Sequence, residues 1–200
     1  MKKLLTLLQV FILLLAASCV ALFIRVGAIG YISDSEIWAV TIASHLRTDW
    51  IHSWVVTRPL FYGILASTEA FAFDSASILQ VAKGISLLNG LLILWLTYRL
   101  ARQFTVRDEP IAPLLPGLAL LILVSNSGFL NQGYRIRSDL LACSLVLLAL
   151  ERTIRSVRSQ KVSGHEKLKL CGLWLLPMSA TPKAVLQILP AVAFLTKLNP

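Results

Sequence analysis

Two acidic side chains, Asp34 and Glu36, directly follow the first long apolar stretch of the chain, in Tyr31-Ile-Ser-Asp-Ser-Glu-Ile-Trp38. A charge beside a membrane-spanning segment is costly unless it is solvated, paired or functional. A carboxylate at such a position can act as a general base that takes a proton from a hydroxyl or an amine. This acidic pair is therefore the first candidate for chemistry in the sequence.

Cationic side chains recur in the later polar stretches. They are Arg58, which precedes a proline, and then Arg135, Arg137 and Lys183, with Asp139 beside the two arginines. Arginine offers a planar fork of donors and lysine a compact charge, and both groups bind phosphate. An acidic pair together with these cations indicates a site for an anionic, phosphate-bearing substrate.

The composition is typical of a membrane protein. Hydrophobic residues make up 56% of the chain and charged residues 14%, whereas an ordinary soluble domain has about 45–50% and about 25%. We predict an all-α polytopic transmembrane protein in which residues 1–200 form a single transmembrane domain of about six spans. The apolar stretches that predict these spans are roughly 4–24, 78–98, 111–125, 138–151, 168–178 and 184–198.

The first apolar stretch has a second interpretation, as a secretory signal peptide. Lys2 and Lys3 precede it, and Ala16-Ala-Ser-Cys19 resembles a cleavage site. The apolar run continues to Ile24, however, which is longer than the apolar region of a usual signal peptide. We therefore predict an uncleaved first span.

The basic residues predict the orientation of the chain. With the N-terminus in the cytoplasm, most of the 19 Lys and Arg residues fall on the cytoplasmic side, as the positive-inside rule requires. The densest run, 152–169, is interpreted as an anchor at anionic headgroups. Because the basic residues flank spans, the net charge of +9 does not indicate nucleic acid as a partner. We expect a multi-pass protein of the plasma or inner membrane.

The outer face then receives residues 26–77, 126–137 and 179–183. The loop 26–77 is too long for a simple connector, and loops of such length usually carry function or structure of their own. Residues 34–47 contain neither Gly nor Pro, and a carboxylate suits the start of a helix. We predict short juxtamembrane helices in this loop, joined near Arg58.

Several candidates also have a purely structural interpretation. Asp34 could only cap a helix. Asp139 could pair with Arg135 or Arg137 as a clamp, and Lys183 could extend from the end of a span to the membrane interface.

The sequence predicts no metal site. His45 and His52 are seven residues apart, but two histidines are too few to define one. No cofactor is required by the sequence, which leaves a divalent cation open. The three cysteines lie in apolar stretches without paired spacing, and we expect them to be inert packing residues; they are Cys19, Cys143 and Cys171.

The polar stretches occur in a recognisable order. They are Tyr31-Ile-Ser-Asp-Ser-Glu-Ile-Trp38, then Thr57-Arg-Pro-Leu-Phe-Tyr-Gly-Ile-Leu65 with Asp74-Ser-Ala-Ser and Leu96-Thr-Tyr-Arg-Leu-Ala-Arg102, and finally Arg135-Ile-Arg-Ser-Asp-Leu-Leu-Ala142 with Ala180-Thr-Pro-Lys183. Together they resemble the N-terminal part of the GT-C membrane glycosyltransferases, in particular the protein O-mannosyltransferase and aminoarabinose-transferase-like group. The family commonly has its two acids adjacent, whereas Ser35 separates them here.

The resemblance implies an enzyme that transfers a sugar from a polyprenyl-phosphate donor to a glycan, lipid or protein acceptor on the non-cytoplasmic side. The displacement would be direct and would invert the anomeric centre. Carried over to this chain, Asp34 would be the general base, and Glu36 would position Asp34 or the acceptor. An apolar groove between the spans would hold the isoprenoid tail.

The resemblance also assigns the cations. Arg58, Arg135, Arg137 and Lys183 would bind the carrier phosphate and stabilise the charge that develops on it as it leaves. Asp139 would orient one of these cations.

Members of that family are usually longer than this chain. The resemblance therefore implies a fragment, or a minimal form that needs a partner subunit to supply the C-terminal region. Two other functions stay open. A non-catalytic lipid-binding or assembly subunit would keep the cations and tolerate loss of Asp34. A small transporter subunit would need ionisable groups along a path through the bilayer, whereas the acids of this sequence cluster at one face.

Overall fold

The computed structural model describes residues 2–29, 34–44, 58–68, 75–104, 112–133, 135–158, 163–186 and 188. Within these ranges every regular element is helical and no strand occurs, which confirms the predicted all-α class. The α-helices are α1 (Lys2–Ile29), α2 (Asp34–Ser44), α3 (Pro59–Ser67), α4 (Ser75–Phe104), α5 (Leu115–Ser125), α6 (Ser127–Gln132), α7 (Ser138–Arg158) and α8 (Gly164–Ala180). Short 3-10 turns occur at Ala112–Leu114 and Pro182–Ala184.

Two of these helices are long and apolar enough to cross a membrane. Their candidate spans are Leu5–Gly27 in α1 and Ala76–Phe104 in α4, and about 20 residues suffice for a hydrocarbon core of about 30 Å. Large apolar side chains such as Leu7, Phe11 and Leu14 are exposed along α1. Such a surface is suited to lipid rather than to water. The predicted count of about six spans stays a prediction.

The ends of several helices follow from local sequence. Asn126 caps α6, because its side-chain oxygen accepts a hydrogen bond from the N–H of Phe129 at 3.1 Å. Ser163 caps α8 in the same way by accepting from the N–H of Glu166 at 3.3 Å. Such caps satisfy N–H groups that have no partner inside the helix.

The longer helices pack side by side in a row, and the short helices α2 and α3 pack against two of them. Helix α7 lies between α4 and α8, α4 also contacts α5, and α1 packs against both α5 and α4. Helices α2 and α3 pack against each other, with α2 on α4 and α3 on α8. An apolar cluster that includes Phe61, Tyr62, Ala82 and Ile136 fills this region and is called the first cluster here.

Gly90 and Gly133 allow α1, α4 and the end of α6 to approach one another around Phe23. The ring of Phe23 is fully buried and stacks on Phe129, with 5.2 Å between the ring centroids. A Cβ atom on Gly90 of α4 would overlap the carbonyl oxygen of Gly133 and would lie 2.8 Å from the Phe23 ring. The absence of a side chain at Gly90 therefore lets α1, α4 and the end of α6 meet at one point.

Candidate functional site

Glu36 is the best-defined acid of the predicted site. It lies near the start of α2, is only 1% exposed, and its Oε1 accepts a hydrogen bond from the backbone N–H of Ile136 at 2.9 Å. These two residues are 100 positions apart in the chain. The bond therefore joins the acidic stretch after α1 to the basic stretch before α7. We call the part of the molecule around this bond, at the start of α2 and directly before α7, the Glu36 end.

Asp34 is the first residue of α2, and its side chain lies outside the described residues. Its backbone position agrees with the prediction that a helix starts there. Residues two apart on a helix point in different directions. The burial of Glu36 therefore does not imply that the Asp34 carboxylate is buried as well.

Arg58 lies at the N-cap of α3 and is half-buried. Its carbonyl oxygen accepts from the N–H of Tyr62 at 3.1 Å, and its guanidinium lies near the Tyr62 hydroxyl group. Burial raises the pKa of the Tyr62 hydroxyl above its usual value, and the neighbouring Arg58 charge opposes that rise. The Tyr62 hydroxyl therefore stays protonated at neutral pH and can donate a hydrogen bond.

The two arginines before α7 differ in their surroundings. Arg135 is half-buried, and its Nε has no hydrogen-bond partner within the described part of the chain. Arg137 is exposed, and its Nη1 donates to Oε1 of Gln132 at 2.7 Å. Asp139 is exposed in the first turn of α7 and forms no ion pair with either arginine. The alternative of an Asp139 clamp is therefore not observed.

Lys183 lies in the 3-10 turn after α8 and is exposed. Its neighbour Ala184 is buried in a second cluster, with Ala142 and Trp174. Leu141 packs against both this cluster and the first one. The structure thus brings Glu36, Arg58 and the segment 135–137 to the border of the first cluster, and Lys183 to the border of the adjoining cluster.

The prediction from sequence missed Lys83. This lysine lies inside the apolar stretch 78–98 and is only 8% exposed, next to Ala82 of the first cluster. An ionisable side chain within a membrane span is by default a candidate functional residue. The signal was present in the sequence, as a single charge within an otherwise apolar segment.

The structure bears on the remaining predicted side chains as follows. His45 and His52 lie outside the described residues. Among the residues that are described, no group of His, Cys, Asp and Glu could hold a metal ion.

The expectation that the cysteines are packing residues is wrong for Cys143 and Cys171. Both are exposed, because the neighbouring helices leave their faces of α7 and α8 uncovered.

Comparisons of this chain with protein-family models, with curated proteins and with solved structures give no match. The likeness to GT-C glycosyltransferases therefore depends on the polar stretches of the sequence alone.

Proposed function

We propose that this chain is the N-terminal membrane part of a GT-C-type glycosyltransferase. It would transfer a sugar from a polyprenyl-phosphate donor to an acceptor on the non-cytoplasmic face. The observation that supports this proposal is the hydrogen bond between Glu36 and Ile136. Two of the stretches that resemble the family, 31–38 and 135–142, are joined by this bond, so acids and phosphate-binding cations share one region.

The two acids would have different roles in the reaction. Asp34 would take the proton from the acceptor hydroxyl or amine, which a positioned carboxylate can do within hydrogen-bond reach. The Glu36 carboxylate is buried and holds the N–H of Ile136. Glu36 is therefore a positioning residue, which fixes α2 against the segment 135–137.

The cations would bind the carrier phosphate. Arg137 and Lys183 are exposed, whereas Arg135 is half-buried and its Nε is a buried donor with no partner among the described residues. Arg58 would contribute its guanidinium from the start of α3. Donors fixed in place before the reaction stabilise the charge that develops on the leaving phosphate.

A membrane orientation follows from this proposal. The chain would have about six spans, with α2 and α3 along the outer surface and the N-terminus in the cytoplasm. At about 1.5 Å per residue, α7 separates Asp139 from Glu151 by about 18 Å, so these two polar residues lie near opposite ends of the helix.

Sugar transfer by membranes that contain the full chain tests the proposal. The probe is a short-chain polyprenyl-phosphate mannose, and the release of polyprenyl phosphate measures turnover. We expect Asp34→Asn to abolish turnover while binding of the carrier lipid is preserved, because the amide cannot accept the acceptor's proton. Glu166→Gln, an acid-to-amide change on α8 away from the site, is the matched control and should leave turnover unchanged.

A second variant tests the cations. Lys183→Ala should weaken binding of the carrier lipid because a phosphate contact is lost, whereas Lys169→Ala on α8 should not. Unchanged turnover in Asp34→Asn would exclude Asp34 as the base. Carrier binding without any transfer by the wild-type chain, and unaffected by Asp34→Asn, would instead support a non-catalytic lipid-binding subunit.

A further inference from the structure

Glu151 is buried near the C-terminal end of α7, with only 2% of its surface exposed. Its Oε1 forms an ion pair with Nη2 of Arg99 at 2.8 Å and accepts a hydrogen bond from Nη2 of Arg155 at 2.6 Å. Nε2 of Gln103 donates to the same oxygen at 3.2 Å, and Nε of Arg152 lies 3.8 Å from Oε2. We call these five side chains, from α4 and α7, the Glu151 cluster.

The Glu151 cluster carries more positive than negative charge. Its single carboxylate faces three guanidinium groups, and the described part of the chain brings no second acid to it. Arg99, Arg155 and Arg152 are 31%, 48% and 58% exposed. Each guanidinium has five N–H donors, so the donors that do not meet Glu151 are free to bind an anion from outside.

The surface beside the cluster is aromatic and apolar. The guanidinium of Arg99 lies over the ring of Trp95, at 4.7 Å from its centroid. Trp95 is 49% exposed and Phe104, the last residue of α4, is 63% exposed. Tryptophan at such a position is typical of the interface between a bilayer and water. A ligand that binds the arginines therefore also meets apolar side chains.

We propose that the Glu151 cluster binds the phosphate of an anionic phospholipid. The arginines donate to the phosphate oxygens, and the acyl chains lie against the exposed side chains of α4. Glu151 does not touch the lipid. It holds the guanidinium groups in place, which lowers the entropy lost when the phosphate binds. The apolar surface around Trp95 and Phe104 favours a lipid over a free phosphate ion. This proposal does not depend on the proposed glycosyltransferase activity.

Lipid binding by the purified full chain tests the proposal. The chain is held in phosphatidylcholine nanodiscs and titrated with phosphatidylglycerol, and bound lipid is counted by native mass spectrometry. We expect phosphatidylglycerol to bind at least about tenfold more tightly than phosphatidylcholine, which corresponds to about 1.4 kcal/mol. The double variant Arg152→Gln, Arg155→Gln should lose this preference. Arg99 still pairs with Glu151 in that variant, so the buried carboxylate keeps a cation.

The matched control is the double variant Arg158→Gln, Lys169→Gln. Like the test variant, it removes two positive charges near the junction of α7 and α8. Neither residue contacts Glu151. It should keep the lipid preference within about twofold. Equal loss in both variants, or no preference in the wild type, would refute a defined site. Displacement of the lipid by millimolar inorganic phosphate would show that the cluster binds the free ion and would refute the lipid assignment. Helix content and elution volume confirm that each variant is folded.

Discussion

Burial separates the acids in the described part of the chain into two groups. Glu36 and Glu151 are 1% and 2% exposed, and each is held by donors, a backbone N–H in one case and guanidinium groups in the other. A buried carboxylate requires such donors because its desolvation is costly. Asp139, in contrast, is exposed and unpaired among the described residues. The buried acids hold segments of the chain together, whereas Asp139 faces outward from α7.

The hydrogen bond of Glu36 can be tested by its effect on stability. Glu36→Ala leaves the N–H of the buried Ile136 without its acceptor, which should lower the free energy of unfolding by about 1–3 kcal/mol. Glu36→Gln keeps an oxygen at nearly the same position and should cost less. Denaturation in detergent, followed by circular dichroism, measures both changes.

A matched acid outside the region gives the control for Glu36. Glu166→Ala removes a partly exposed ion pair with Lys169, and such pairs contribute less than about 1 kcal/mol. If Glu36→Ala were no more destabilising than Glu166→Ala, the bond to Ile136 would not hold the two segments together.

At the scale of helices, the sequence predicts positions better than contacts. The apolar stretches 4–24 and 78–98 lie inside α1 and α4. Both helices also include polar residues on either side of these stretches. The pairing of Glu36 with Ile136 was not predictable, since the two residues are 100 positions apart and neither one specifies the other. Lys83 was detectable as a charge in an apolar stretch, but its burial depends on how α4 packs.

The contact of α4 with Phe23 and Gly133 makes a prediction about one glycine. Gly90→Ala should lower stability by about 1–3 kcal/mol, because overpacked sites must shift backbone to admit a methyl group. Its Cβ would meet the carbonyl oxygen of Gly133, which is not the end of a flexible side chain. Thermal unfolding in detergent measures the change.

The same helix provides a control for Gly90. Gly84 is exposed, and a Cβ there would meet nothing within 4 Å. Gly84→Ala should therefore be neutral, or stabilising by up to about 1 kcal/mol through helix propensity. Equal effects of the two substitutions would show that α4 does not approach the other helices closely at Gly90.

Several polar side chains lie together at each end of α7. At the Glu36 end are Arg58, Arg137 and Lys183, and at the opposite end is the Glu151 cluster. The apolar side chains of α1 and α4 between these ends are largely exposed. The distribution of basic residues in the sequence predicts that the Glu151 cluster lies on the cytoplasmic side of a membrane and the Glu36 end on the outer side.

Cysteine labelling tests that two-sided arrangement. In a chain whose three native cysteines, at positions 19, 143 and 171, are replaced by serine, Lys183→Cys and Arg158→Cys each introduce one thiol. Both positions are exposed, so a difference in labelling reports the side of the membrane rather than burial. A membrane-impermeant maleimide should label the Lys183→Cys chain in intact cells, and the Arg158→Cys chain only after permeabilisation.

Each other labelling pattern contradicts a specific part of the argument. Labelling of both positions in intact cells would mean that α7 and α8 do not separate the two ends across a bilayer. Labelling of position 158 alone would place Lys183 and Glu36 in the cytoplasm. A cytoplasmic site would have no access to an acceptor on the outer face, so the proposed direction of sugar transfer would fail. The Glu151 cluster would then meet the outer leaflet, and its charge would still select an anionic lipid there.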